Sequence, residues 1–284
     1  MKKVCTFKAL LLLLATGFYF SACDMTPKSG KQNKIAFDST LVDKTCYLLD
    51  NPENPHCNLQ IKFIYPTQMD NALLPEIQKQ FVNAYFGEAY DTLAPQKAVK
   101  KYTDDYIEAY KELEEDFKVE LARSEKDGNP VGAWFSYYEM SSNTIRFNQD
   151  GLLCFSVNFE NYTGGAHGAH SYNHFVLDVN TGKRITEEDI FVDSYQDSLA
   201  EILVAQITKQ NELSDPKELE NIGFFSVDEI YPNNNFFVDE TGITYTFNEY
   251  EIAAYVVGPV HVHLSFDEVQ YLLKPETPIT QLIN

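Results

Sequence analysis

The sequence predicts an α+β fold: an antiparallel sheet packed against helices, in two adjacent or intertwined subdomains. Three observations carry that expectation. Helical periodicity is concentrated in an early stretch and one later one. From residue 130 the apolar period drops to two over several short segments. No internal repeat or low-complexity tract interrupts this order, and separated runs of helix and strand are the pattern of α+β packing.

Taken from the start, Lys2, Lys3 and Lys8 accompany an apolar core over residues 9–20. About a dozen apolar residues are too few to span a bilayer and have the proportions of a signal peptide. The core ends in FSAC, with Ser21 and Ala22 before Cys23 and Phe20 where an aliphatic residue is usual. This resembles a bacterial lipobox, so residues 1–22 are expected to be a lipoprotein signal peptide and Cys23 the acylated residue, palmitate included. Residues 24–34 are polar, and an anchored linker is expected over 23–45. A helical N-terminal region is expected over 46–128, after a strand-like start at 59–65, and an α+β domain over 129–284.

Over 75–86, Ile77, Phe81, Val82 and Phe86 recur at helical spacing. Over 95–122, Tyr102, Tyr106, Tyr110, Leu113, Phe117 and Leu121 make one apolar stripe, read as core; Glu112, Glu114, Glu115 and Asp116 are read as its solvated side. WFSYYEM, NTIRFN and LLCFSVNF then read as three successive strands, with Asp150-Gly151 as a hairpin turn. In the last of them Leu153, Phe155, Val157 and Phe159 are expected on the buried face, and Cys154, Ser156 and Asn158 on the other. Beyond the TGGAHG turn, Phe175 and Leu177 face the core and Asn180-Thr181-Gly182 closes the strand. Asp193 or Ser194 is expected to cap a helix with Leu199, Ile202, Leu203 and Ile207 inward, and Asp215-Pro216 to open a short one. Strands near 235–238, 243–247 and 260–266 end the chain.

The net charge is −20, and removing three leader lysines from 22 basic residues leaves 19 against 42 acidic, or −23. Such a surface repels nucleic acid and attracts cationic partners. Cys46 and Cys57 flank a loop holding Pro52, Asn54 and Pro55; export permits a disulfide there, and the sequence leaves bridged and free thiols equally open. Cys154 reads as a packed thiol.

His167, His170 and His174 are spaced H-x2-H-x3-H, and three imidazoles with water would make a catalytic-type zinc site. Against this, His167 and His170 lie in a glycine-rich turn and His174 is expected on the strand face opposite Phe175 and Leu177. No acidic residue lies among them, and Asp178 is about 13 Å further along the strand. The other reading is a tight backbone path permitted by Gly164, Gly165 and Gly168, with His167 bonded to it. His261 and His263 are expected on the outward face of their strand, and Glu251 to pair with Arg184 or Arg146 in the core. Neither a GxSxG elbow nor a phosphate loop is present, so no catalytic residue and no cofactor is assigned.

YTGGAHG at 162–168, FVLDVNTGKRITEEDIF at 175–191 and ITYTFNEYEIAAYVVGPVHVHLSFDEV at 243–269 together resemble the RsiV-like extracytoplasmic domain. The likeness covers residues 130–275; the helical segment 59–125 is similar in outline to the N-terminal half accompanying that domain. Ala254 stands where the family tends to have proline. The domain forms the outer half of a lysozyme-sensing anti-sigma factor, precedes the catalytic domain of PdaC-type peptidoglycan deacetylases, and stands alone in many lipoproteins. The resemblance implies a binding role for Tyr162, Thr163, Gly164, Gly165, His167, Gly168, Tyr250 and Glu251. About 15 residues follow Val269, and a leader takes the place of a cytoplasmic half, so the exposed module alone is expected. The reading is a non-enzymatic, lipid-anchored envelope protein facing periplasm or exterior, binding a cationic protein such as lysozyme or peptidoglycan fragments. The alternative is a metal-dependent hydrolase centred on His167, His170 and His174.

Overall fold

The computed structural model describes residues 30–128 and 130–283, so the expected signal peptide and Cys23 lie outside the described residues. Strand β1 (Ile35–Tyr47) pairs antiparallel with β2 (His56–Met69). Helices α1 (Leu74–Phe86), α2 (Pro95–Lys111) and α3 (Glu114–Asp127) follow. Strands β3 (Tyr137–Gln149), β4 (Leu152–Tyr162), β5 (Ala169–Asp178) and β6 (Arg184–Ile185) complete a six-stranded sheet in sequence order. Thr186 and Asp189 form a capping box on the single turn α4 (Glu187–Ile190), and α5 (Gln196–Gln210) leads on. Strands β7 (Phe236–Asp239), β8 (Gly242–Phe247) and β9 (Val260–Ser265) make a second, antiparallel sheet.

The fold is α+β, with one departure from an all-antiparallel sheet: β2 and β3 run parallel. The three helices supply the long crossover that a parallel pair requires. Residues 35–45, expected as linker, are strand, because Ile35, Phe37 and Val42 pack against the first core. The two expected strands before β4 are one, β3. Its polar middle does not break it: Asn143 accepts from Ile64 N (2.6 Å) and donates to Ile64 O (2.7 Å), continuing the ladder just past the last backbone pair, Lys62 with Ser142.

The aromatic stripe over 95–122 lies on two helices, parted at Glu112 and Leu113, although Tyr110 and Phe117 are buried as expected. Glu114 is not simply solvated, since its carboxylate accepts from Leu49 N (3.2 Å). Helix α5 starts after Tyr195 with no side-chain cap from Asp193 or Ser194. Cys46 and Cys57 face each other across β1 and β2, and both are free thiols.

Strand β4 is buried on both faces, not one. Leu153, Phe155 and Val157 pack under α1, with Phe155 stacked on Phe81 at 4.0 Å. Leu152 and Cys154 face the other way, into a core shared with α5 and the second sheet. Burying a Phe or Leu side chain contributes about 1.5–3 kcal/mol, so the strand holds two layers together. The two-residue turn into β4 uses positive φ at Asp150 (53°) and Gly151 (83°). Beside it the start of the described chain is pinned: Asn33 N bonds Asn148 O (3.1 Å), Asp150 N bonds Lys31 O (2.8 Å), and Gly151 N bonds Asn33 Oδ1 (2.9 Å).

Glu139 is 5% exposed beneath α2 and accepts from the Tyr102 hydroxyl (2.8 Å). Burial raises its carboxyl from 4.5 to about 7. The folded chain therefore keeps a proton that the unfolded chain has lost, and stability falls as pH rises through that window. Glu139→Gln keeps an acceptor for Tyr102 and is expected to add about 1–2 kcal/mol at pH 8 but nothing at pH 4.5, read by denaturant melts. An equal effect at both pH values would contradict a buried neutral carboxyl.

Candidate binding site at the signature turn

Pairing of β4 with β5 continues to Asn161 and Ala169, so the chain must reverse within residues 162–168. Gly164 makes this path (φ 85°): a Cβ there would lie 2.3 Å from Trp134 O. At Gly168 a Cβ would meet the Tyr138 hydroxyl at 2.9 Å, whereas Gly165 has room. Tyr162 stacks on Tyr138, its partner across the β3–β4 pair (6.2 Å), and Thr163 and Gly165 are exposed.

The three histidines separate. His167 Nδ1 lies 2.7 Å from Gly168 O and so carries the proton; its Nε2 accepts from Tyr250 (3.2 Å), and its ring stacks on Tyr255 (4.0 Å). Between two carboxylates sits His170: Nδ1 is 3.1 Å from Glu249 and Nε2 3.7 Å from Glu160, itself bonded by the Tyr138 hydroxyl (3.0 Å). His174 lies on the strand face opposite Phe175 and Leu177, as expected, and that face is buried here. His174 itself is 3% exposed, between Ser156 Oγ (2.6 Å) and Thr246 Oγ1 (2.8 Å). Among the described residues no group of His, Cys, Asp or Glu side chains is arranged to hold a metal ion. The structure does not bring together the three imidazoles of the zinc alternative, which serve three different neighbourhoods.

His174 belongs to a directional chain across both sheets. Arg146 Nε, a donor only, bonds Ser156 Oγ (3.0 Å), whose hydroxyl donates to His174 Nδ1. His174 Nε2 donates to Thr246, and Thr246 to His261 Nδ1 (2.8 Å). Burial, reinforced by Arg146 and His261, pushes the His174 pKa down to about 3. His261 and His263 do share a face of β9, but each bonds a β8 threonine, Thr246 and Thr244.

Beyond β6 the edge of β5 lacks a strand, and side chains take its place. Asn235 accepts from His174 N (2.8 Å) and donates to Tyr172 O (2.8 Å); Asn248 accepts from Tyr172 N (2.7 Å), and Glu249 from His170 N (3.3 Å). The 248–255 loop is thereby laid beside the signature turn. Glu251 is exposed and braces this loop through Asn233 (2.8 Å) and Asn248 (3.3 Å), not through Arg184 or Arg146. Those arginines lie over Phe175 and Phe237. Tyr250, 56% exposed, has φ 66° in this loop. Ala254 keeps a proline-like φ of −64° yet donates its N–H to Gly223 O (2.9 Å), a bond proline would lack.

The structure thus joins His167 to Tyr250 and adds Tyr138, Glu160, Glu249 and Tyr255, which the sequence reading did not single out. The strand period held a signal for two of them: Glu160 and Tyr162 share a face of β4, and Tyr138 pairs with Tyr162.

Thr246→Val keeps the side-chain shape but strands His174 Nε2 and His261 Nδ1. It is expected to cost about 1–3 kcal/mol at pH 7.5 by chemical denaturation. Because the folded pKa of His174 lies below the ordinary 6.5, stability is present above that value and is lost as pH falls toward 3. His174→Gln should flatten that acid loss; an unchanged pH profile would show that His174 protonates without unfolding.

A family model for a protein of unknown function, DUF3298, matches residues 188–267, and one described as Deacetylase PdaC matches residues 53–170. The His167–Tyr250 contact joins one matched region to the other. No curated protein matches the chain. A DUF3298-family crystal structure from Bacteroides fragilis is 31% identical, with a TM-score of 0.82, covering 89% of this chain and 99% of that one. A second, from Pseudomonas aeruginosa, is 14% identical with a TM-score of 0.58, covering 86% and 96%, and shares the fold. On the identity and coverage of the Bacteroides structure, the chain belongs to the DUF3298 family.

Proposed function

We propose that the protein is a non-enzymatic binding module of the cell envelope, anchored through lipid on Cys23, that holds a basic protein ligand of the lysozyme kind. One observation carries this reading. His167, Tyr250 and Tyr255 form a stack in which His167 and Tyr250 are exposed and Tyr255 half-buried, with Tyr250 and Tyr255 rings 5.8 Å apart, beside the carboxylates of Glu160 and Glu249. Aromatic faces next to carboxylates are the chemistry that receives ammonium and guanidinium groups. The net charge of −20 would speed the approach of such a ligand. Among the described residues no helix is long and apolar enough to cross a membrane. The PdaC match reaches the signature turn and adds support for an envelope setting.

The immobilised mature chain, probed with lysozyme and with soluble muropeptides, is expected to bind lysozyme saturably and less tightly as salt is raised. Tyr255→Ala combined with Glu249→Gln should weaken that binding by about tenfold or more. Absence of lysozyme binding at high micromolar concentration, or binding indifferent to both substitutions, would remove this reading.

A further inference from the structure

Among the described residues, the face of the six-stranded sheet turned away from α1 is covered where Cys154, Ser156, His174 and Val176 are buried against the second sheet. Next to that covered part the face forms a trough of about 750 Å³, within the size range of ligand sites. Strand register builds its floor. Lys62, Ser142, Asn158 and Tyr172 lie opposite one another across β2 to β5. Gln60, Met140, Glu160 and His170 form the next row. The floor spans about 14 Å at the usual strand spacing.

Two features set this face apart from an ordinary solvated sheet. Asn158 Oδ1 is shut off from solvent yet has no hydrogen-bond partner, a state native structures rarely leave unused. Around it, no side-chain hydrogen bond or ion pair engages Gln60, Lys62, Ser142 or the Tyr172 hydroxyl among the described residues. Donors and acceptors therefore stand in fixed rows, held by strands and not by loops.

Their chemistry selects the occupant. Carboxamides and hydroxyls offer a donor and an acceptor together, as the hydroxyls of a sugar ring require. Met140, 38% exposed, and the Tyr172 ring supply the apolar surface that a ring's C–H face needs. Lys62 is balanced by Asp43 and Glu160 along the same trough, and the net charge of −20 disfavours a polyanion. An extended peptide would gain its backbone bonds at a sheet edge, whereas the amides of this floor are already in the ladder.

We infer that this trough is a binding site for an uncharged, hydroxyl-rich glycan strand, bordering the aromatic stack at Glu160 and His170 but not dependent on the protein-binding reading. The test titrates the mature chain with chitohexaose, cellohexaose and polygalacturonate, following amide shifts by NMR. Expected is saturable binding of at least one neutral oligosaccharide, with shifts on β2 to β5. Gln60→Ala with Asn158→Leu should weaken it at least tenfold without lowering the melting temperature, and Gln60→Ala with Ser142→Ala gives a second variant should Asn158→Leu fold poorly. Tyr255→Ala should leave glycan binding in place while weakening lysozyme binding, which keeps the two readings apart. No neutral oligosaccharide bound at millimolar concentration, binding of the polyanion alone, or full affinity in both double variants would overturn the inference.

Discussion

His174 occupies the seam between the two sheets as a neutral imidazole, with both ring nitrogens engaged. An imidazole left unpaired there would cost several kcal/mol of desolvation, so the groups on either side are constrained as strongly as the ring itself. Ser156 sets one end and Thr246 the other, which fixes where β8 crosses β4 and β5. From that alignment follows the position of Asn235, Asn248 and Glu249, whose side chains finish the β5 edge. An edge satisfied by side chains is closed to a foreign strand. It also brings a loop from one end of the sequence against a turn from its middle.

Much of this was legible from residue order. The stripe of Ile77, Phe81, Val82 and Phe86, the Asp150-Gly151 turn, and the inward set on α5 are all local patterns, and each appears as expected. What escaped depends on pairing across distance. Strand β1 reads as polar because its outward residues dominate, and only β2 beside it shows which face is buried. The polar centre of β3 looks like an interruption until Asn143 is seen bonding Ile64, 79 residues away. Glu160, His170 and Glu249 meet from three elements, and no spacing rule connects them. The alternation in β4 is real, but a second sheet buries the face that alternation assigns to solvent.

The two candidate surfaces differ in how they are held. The aromatic stack rests on a turn and a loop, each with a left-handed residue, Gly164 at φ 85° and Tyr250 at φ 66°. Gly164 takes such a φ freely, whereas Tyr250 needs its surroundings to hold it, and its hydroxyl bonds His167. The trough floor, by contrast, inherits its spacing from the ladder. One surface suits a partner met by a few anchor side chains, the other a ligand read by rows. They meet at Glu160 and His170, which border both.

The pinning of residues 31–33 beside the Asp150-Gly151 turn has a mechanical consequence. The chain enters the domain at one end of β4, and the signature turn lies at the other end, after Tyr162. Ten residue steps at strand rise separate them, about 33 Å. Residues 31–33 are therefore pinned at the far end of β4 from the His167 stack. A pull on residues 31–33 would enter the domain through the bonds at the Asn148–Gly151 turn and run along β4, parallel to the strand on which both cores are packed.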